Sequence, residues 1–177
     1  MAPMKLFFAA VALTLLALGL GAYGFISMGW MPANADGKAP WLEQWMARKA
    51  LHAAIDRQAP TGPLPIPLND ANLSAGIRLY AVNCAVCHGA ADGLASNIAR
   101  GLYQPAPQLA RHGVEDDPEG ETFWKVKHGI RLTGMPGFSA SLTDDQIWRI
   151  ALFLKHMDSL PPGPAKAWKA IPSAQSR

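Results

Sequence analysis

The longest apolar run lies at the N-terminus, where Leu6 to Trp30 contains no charged residue. As a helix rising 1.5 Å per residue, the run extends roughly 37 Å, enough to cross a hydrocarbon core of about 30 Å. Lys5 precedes it and Trp30, Trp41 and Trp45 follow it. Basic residues stay inside and aromatic residues mark the interface, so the pattern predicts a cytoplasmic N-terminus with the bulk of the chain on the outer side. Ala33-Asn34-Ala35 has the small-x-small form of a signal-peptide cleavage site, which makes a cleaved leader the competing reading. The length of the run favours an uncleaved anchor over residues 1–35.

Beyond a Pro/Gly/Asn turn region, Trp41 to Arg57 has no internal Gly or Pro and reads as a helix. Its apolar positions (Trp41, Leu42, Trp45, Met46) are too ragged to say whether it lies on a membrane or packs on a neighbouring domain or a partner. Pro60, Pro63, Pro65 and Pro67 follow. Such density blocks helix and sheet, and predicts a semi-rigid extended spacer reaching up to roughly 30 Å. Residues 36–69 are therefore expected to be a juxtamembrane helix plus linker.

From residue 70 the pattern changes. Leu73, Ile77, Tyr80, Ala81 and Cys84 share one helical face, with Asp70 or Asn72 as candidate N-cap. Residues 89–120 show no convincing strand, and Glu121 to His128 reads as a short helix ended by Gly129. Met135-Pro136-Gly137-Phe138 is a turn. Thr143-Asp144-Asp145-Gln146 has capping-box spacing, and the helix after it runs through Ile147, Ile150, Ala151 and Leu154 to about Met157 before Pro161-Pro162 stop it. This predicts an all-α domain over residues 70–162 with a tail over 163–177. About 90 residues with long loops make a thin core, which a large apolar cofactor would complete.

Charge and cysteine content sharpen the picture. The chain has 16 Lys+Arg against 13 Asp+Glu, but residues 70–160 alone carry an excess of acid, so the basic balance belongs to the ends and gives no footprint for nucleic acid. Both of its 2 cysteines fall in Cys84-Ala85-Val86-Cys87-His88, leaving none for a disulfide framework. Cys-x-x-Cys-His is the attachment signature of c-type haem: two thiols reach the porphyrin vinyls from one helical turn, and the imidazole of His88 meets the iron from the same side. A thioredoxin-like dithiol would need a βαβ surround, and zinc would need two further ligands; neither pattern is present. Met135, in a non-helical turn, is the candidate sixth ligand, and His/Met ligation raises the reduction potential. His128 is its rival, but it sits where a histidine ends a helix by meeting the last carbonyls. Met46 and Met157 fall in helical patterns and read as packing residues.

From Asn72 to Leu160 the chain resembles the class I, monohaem c-type cytochromes, in a membrane-anchored bacterial form. Gly76, Tyr80, Cys84, Cys87, His88, Met135 and the last helix with Trp148 and Phe153 carry the resemblance. It implies a small cytochrome c fold around one covalent haem c, with first and last helices crossing near Gly76 and Tyr80. It implies a proline carbonyl, of Pro105 or Pro107, holding the proximal imidazole. In such cytochromes haem attachment is completed on the outer side of the bacterial inner membrane, which agrees with the orientation read from the N-terminal run, so the expectation is a periplasmic haem domain on a single-pass inner-membrane anchor.

The leading expectation is thus an electron carrier and not an enzyme, passing single electrons between respiratory or dehydrogenase complexes and an acceptor. Its partners would be redox proteins in or at the membrane. A fixed haem subunit of a membrane oxidoreductase is the first alternative, with Ala17 and Gly21 as a small-xxx-small packing pair. A ligand-binding haem sensor or peroxidase is the second, should Met135 not hold the iron. The acidic run from Glu115 to Glu121 is either a steering patch for a basic partner or a solvated loop.

Overall fold

The computed structural model describes residues 2–173; residue 1 of the expected anchor and residues 174–177 of the expected tail lie outside it. The described residues form eight helices and no strand: α1 (Ala2–Ser27), α2 (Trp41–Gln58), α3 (Asp70–Asn83), α4 (Ala85–His88), α5 (Asn97–Gly101), α6 (Glu119–His128), α7 (Asp144–Lys155) and α8 (Pro162–Lys169). They fall into two compact units, residues 1–34 and 35–177. The first is α1, a single helix long and apolar enough over Pro3–Ser27 to cross a membrane.

In the second unit, α3 and α7 cross at Gly76. A Cβ on Gly76 would overlap the Arg149 carbonyl and come within 2.9 Å of Phe153 Cβ, so only a residue without a side chain lets the two backbones meet. Tyr80, one turn on, lies edge-on to Phe153 with ring centroids 5.4 Å apart. Ile147, Ile150, Ala151 and Phe153 of α7 are fully buried around this crossing. α6 closes the other side of α7, where Phe123 stacks on Trp148 at 4.1 Å.

Local signals explain where the helices start and stop. Thr143 caps α7 through a complete capping box, its side chain accepting from Gln146 N while the Gln146 side chain accepts from Thr143 N. Gly129, at φ 69°, ends α6 in a conformation that penalises any other residue. The cap of α3 is Asn69, whose side chain accepts from Asn72 N, and neither Asp70 nor Asn72 takes that role. Asn72 instead donates from its side chain to the Pro67 carbonyl. α7 ends at Lys155, two residues short of the expected Met157, which is nonetheless buried.

Two expectations are corrected outright. Of the tail expected over 163–177, residues up to Lys169 are helical: Pro162, compatible with the first helical turn because an N–H there would have no partner, opens α8. α8 buries Trp168 edge-on against Tyr80 (5.4 Å) and Phe153 (5.2 Å), adding a third aromatic ring to the helix crossing. Nor is the proline-rich stretch an outstretched strut. It folds back so that the Pro60 carbonyl sits where a side chain on Gly120 would be, and α2 packs on α6 in the same unit as α3 to α8. Ile55 of α2 is consequently buried to 1% exposure.

Candidate functional site

α3 delivers Cys84 at its end, and α4, a single turn, carries Cys87 and His88. The turn is fixed from two sides. The Tyr80 hydroxyl donates to the Gly89 carbonyl at 2.9 Å and lies 3.2 Å from that of His88. From the other side Leu109 N donates to the His88 carbonyl at 3.1 Å, and Gln108 donates from its side chain to the carbonyls of Cys87 and Ala106, both at 3.0 Å. These contacts register the 105–109 loop against the cysteine turn. The His88 ring Nδ1 thereby lies 2.9 Å from the Pro107 carbonyl. A carbonyl only accepts, so Nδ1 carries the proton and Nε2 keeps its lone pair. Pro105 lines the same cavity but does not make this bond.

The cavity beside this turn measures about 310 Å³, within the roughly 300–1,000 Å³ typical of cofactor sites. Its walls are mostly apolar and come from α2, α3, α4, α6, α7 and the loops between them, Leu51, Tyr80, Leu102, Val126, Ile130 and Leu154 among them. Cys84, Cys87 and His88 line it, and so does Met135. The Met135 turn is built by hydrogen bonds from Ile130 N to the Met135 carbonyl and from Met135 N to Thr133 Oγ1, both 3.1 Å. Gly129 lets it fold tightly, since a Cβ there would press within 2.5 Å of the Pro136–Gly137 backbone.

His128 does not line the cavity; its ring packs beside Trp124 on the protein surface. His52, His112 and His156 are likewise absent from the cavity wall. His88 and Met135 are thus the imidazole and the thioether that share this space. Burial draws the His88 pKa below its ordinary value, against an opposing pull from the Pro107 hydrogen bond, which keeps the ring neutral and able to ligate. Burial first, and the neighbouring Cys87 second, push the Cys84 thiol up to about 12. A reactive dithiol depends on a lowered thiol pKa, so this environment disfavours free redox thiols. Among the described residues no group of three or more His, Cys, Asp or Glu side chains converges.

The donor set fits haem c: two thiols one turn apart, a neutral imidazole with its second nitrogen already engaged, a thioether, and an apolar wall. Gln108, which ties the proximal loop to the cysteine turn, was not a sequence candidate; a lone glutamine in a loop gives no local signal. The acidic run is partly committed to structure, Asp117 and Glu121 pairing with Lys125 at 2.8 and 3.4 Å.

Residues 71–154 match the family described as Cytochrome C oxidase, cbb3-type, subunit III. No solved structure matches the chain.

Proposed function

We propose, from the match of residues 71–154 to a c-type cytochrome family, that the chain is a membrane-tethered electron-transfer protein that would hold one haem through thioethers to Cys84 and Cys87. His88 and Met135 would be the residues that hold its iron, with His88 oriented by Pro107. The bound haem supplies one-electron iron chemistry. The single observation that carries this reading is the sharing of one apolar cavity by Cys84, Cys87, His88 and Met135. An iron held by both an imidazole and a thioether would offer no open coordination site to a substrate, which favours electron transfer over catalysis. α1 supports tethering by its length and composition, and the tether together with haem attachment outside the cytoplasm points to a periplasmic domain on a bacterial inner membrane.

Replacing Met135 with Ala tests the assignment. The native protein is expected to show the methionine-to-iron charge-transfer absorption, and Met135→Ala to lose it with a fall in reduction potential, because His/Met ligation raises the potential. A native protein without that absorption would make a ligand-binding sensor or peroxidase the better reading.

A second reading draws on the matched family, whose description is that of an oxidase subunit: the chain would then be a fixed component of a membrane redox complex, not a carrier moving between complexes. Extraction from membranes in mild detergent followed by sizing separates the two. A large assembly that persists favours the fixed subunit.

A further inference from the structure

α2 has two faces of different character. Its inner face is committed to the cytochrome unit: Ile55 is buried, Leu51 lines the haem cavity, and Glu43 accepts a hydrogen bond from the Tyr103 hydroxyl at 3.0 Å. Its first two turns present the opposite side to the surroundings, with Trp41 76%, Leu42 48%, Trp45 55% and Met46 57% exposed. At spacings of one, four and five residues these side chains form a continuous strip. Single exposed apolar residues are ordinary, but four large ones together, two of them tryptophans, mark a contact surface.

The order of residues along the helix says what covers it. The apolar strip comes first, exposed Arg48 and Lys49 follow, and then His52 and Asp56. Tryptophan beside apolar residues, with basic side chains at the next level, is the composition of a helix seated at a membrane–water interface. The acidic residue of the first two turns, Glu43, is held by Tyr103. Only residues 28–40 separate α1 from Trp41, a reach of at most roughly 45 Å, so an anchored chain keeps the strip at high local concentration near lipid.

We propose that the Trp41–Met46 strip of α2 docks on the lipid surface, with Trp41 and Trp45 at headgroup level and Arg48 and Lys49 toward lipid phosphates. The proposal rests on α1 being a membrane anchor. Its consequence is orientation. Because the same helix lines the cavity through Leu51, the cavity wall would stand about one helix diameter, roughly 10–12 Å, from the headgroups. A cytochrome domain so held serves redox centres embedded in or lying on the same membrane.

The test uses the full haem-loaded chain in nanodiscs of mixed zwitterionic and anionic phospholipid. Spin labels are placed singly through Leu16→Cys, Leu42→Cys, Met46→Cys and, as a water-facing reference, Val82→Cys, which is 79% exposed. Collision with oxygen reports lipid, and collision with a nickel chelate reports water. The expected result is an oxygen-to-chelate ratio several-fold above the Val82 reference at positions 16, 42 and 46, with the ratio at 46 falling to the reference when Trp41→Ser and Trp45→Ser are added. A high ratio at 16 with reference values at 42 and 46 overturns the docking and leaves the anchor standing. Reference values at 16 overturn the anchor itself and the proposal with it. Shielding of 42 and 46 from both reagents would mean a protein contact and would also overturn lipid docking.

Discussion

Replacing Gly76 with Ala sets two effects of opposite sign against each other. In an unencumbered helix the change favours folding by about 1 kcal/mol, since glycine is the poorer helix former. At Gly76 the new methyl group would overlap the Arg149 carbonyl and crowd Phe153 Cβ. The obstacle is backbone in the middle of α7, which cannot swing aside as a side chain tip would. Relief requires α3 and α7 to part, loosening the Tyr80–Phe153 and Phe153–Trp168 ring contacts and the fully buried Ile77 and Ile150. Overpacking of this kind costs roughly 1–3 kcal/mol and sometimes more, and the rigidity of the obstacle places Gly76→Ala at the upper end or above it. The expected net loss is about 2 kcal/mol or more, some 30-fold in the folding equilibrium. Urea unfolding of the haem-loaded protein followed by far-ultraviolet circular dichroism measures it as a fall in midpoint at unchanged slope. Gly101→Ala, where a Cβ meets open space, is the control and should be neutral to about 1 kcal/mol stabilising. If Gly76→Ala matched that control, the close crossing of α3 and α7 would be wrong.

Three further outcomes are expected. Trp168→Ala should cost about 3–5 kcal/mol, the usual loss for truncating a buried aromatic residue, measured by the same unfolding assay; a loss below about 1 kcal/mol would return residues 163–173 to the status of a tail. Thr143→Ala removes the cap of α7 and should cost about 1 kcal/mol, with Thr143→Ser restoring most of it. Cys84→Ser combined with Cys87→Ser should leave any bound haem extractable by acidified organic solvent, whereas the native protein should retain its haem through denaturation. Retention in the double variant would refute thioether attachment.

Much of the architecture was legible because short-range chemistry dictated it. The capping box at Thr143, the glycine after His128 and the shared face of Leu73, Ile77 and Tyr80 each describe contacts within a few residues, and α7, α6 and α3 stand where those contacts place them. What was misread depended on distant partners. Pro161-Pro162 is a stop for the helix before it and equally a start for one after it; only the aromatic pocket made by Tyr80 and Phe153 decides that Trp168 folds back as α8. The proline stretch does avoid helix, as its composition requires, yet its path is set by the bare backbone of Gly120, sixty residues further on. Asn69 was passed over for Asp70 and Asn72 because all three have capping side chains within one helical turn, and the choice among them is a matter of one to three residues of register.

The site divides along the same line. Cys84, Cys87 and His88 are readable together because one turn of helix must present two thiols and an imidazole in a fixed order. Choosing between Pro105 and Pro107 was beyond local reasoning, since both carbonyls belong to one extended loop and differ only in where that loop is pinned. The pin is Leu109 N on the His88 carbonyl with Gln108 bonded to Cys87, and it brings Pro107, not Pro105, to the imidazole. A register set by hydrogen bonds across about twenty residues leaves no periodic trace. The same reasoning separates Met135 from His128, which lie seven residues apart on one chain segment. Helix geometry turns His128 outward at the end of α6, and the left-handed Gly129 then reverses the chain so that the turn closed between Ile130 and Met135 faces the cavity. The glycine, as much as the methionine itself, decides that Met135 reaches the cavity wall, and a side chain at position 129, crowding the Met135–Gly137 backbone, should disturb Met135 before it disturbs the fold.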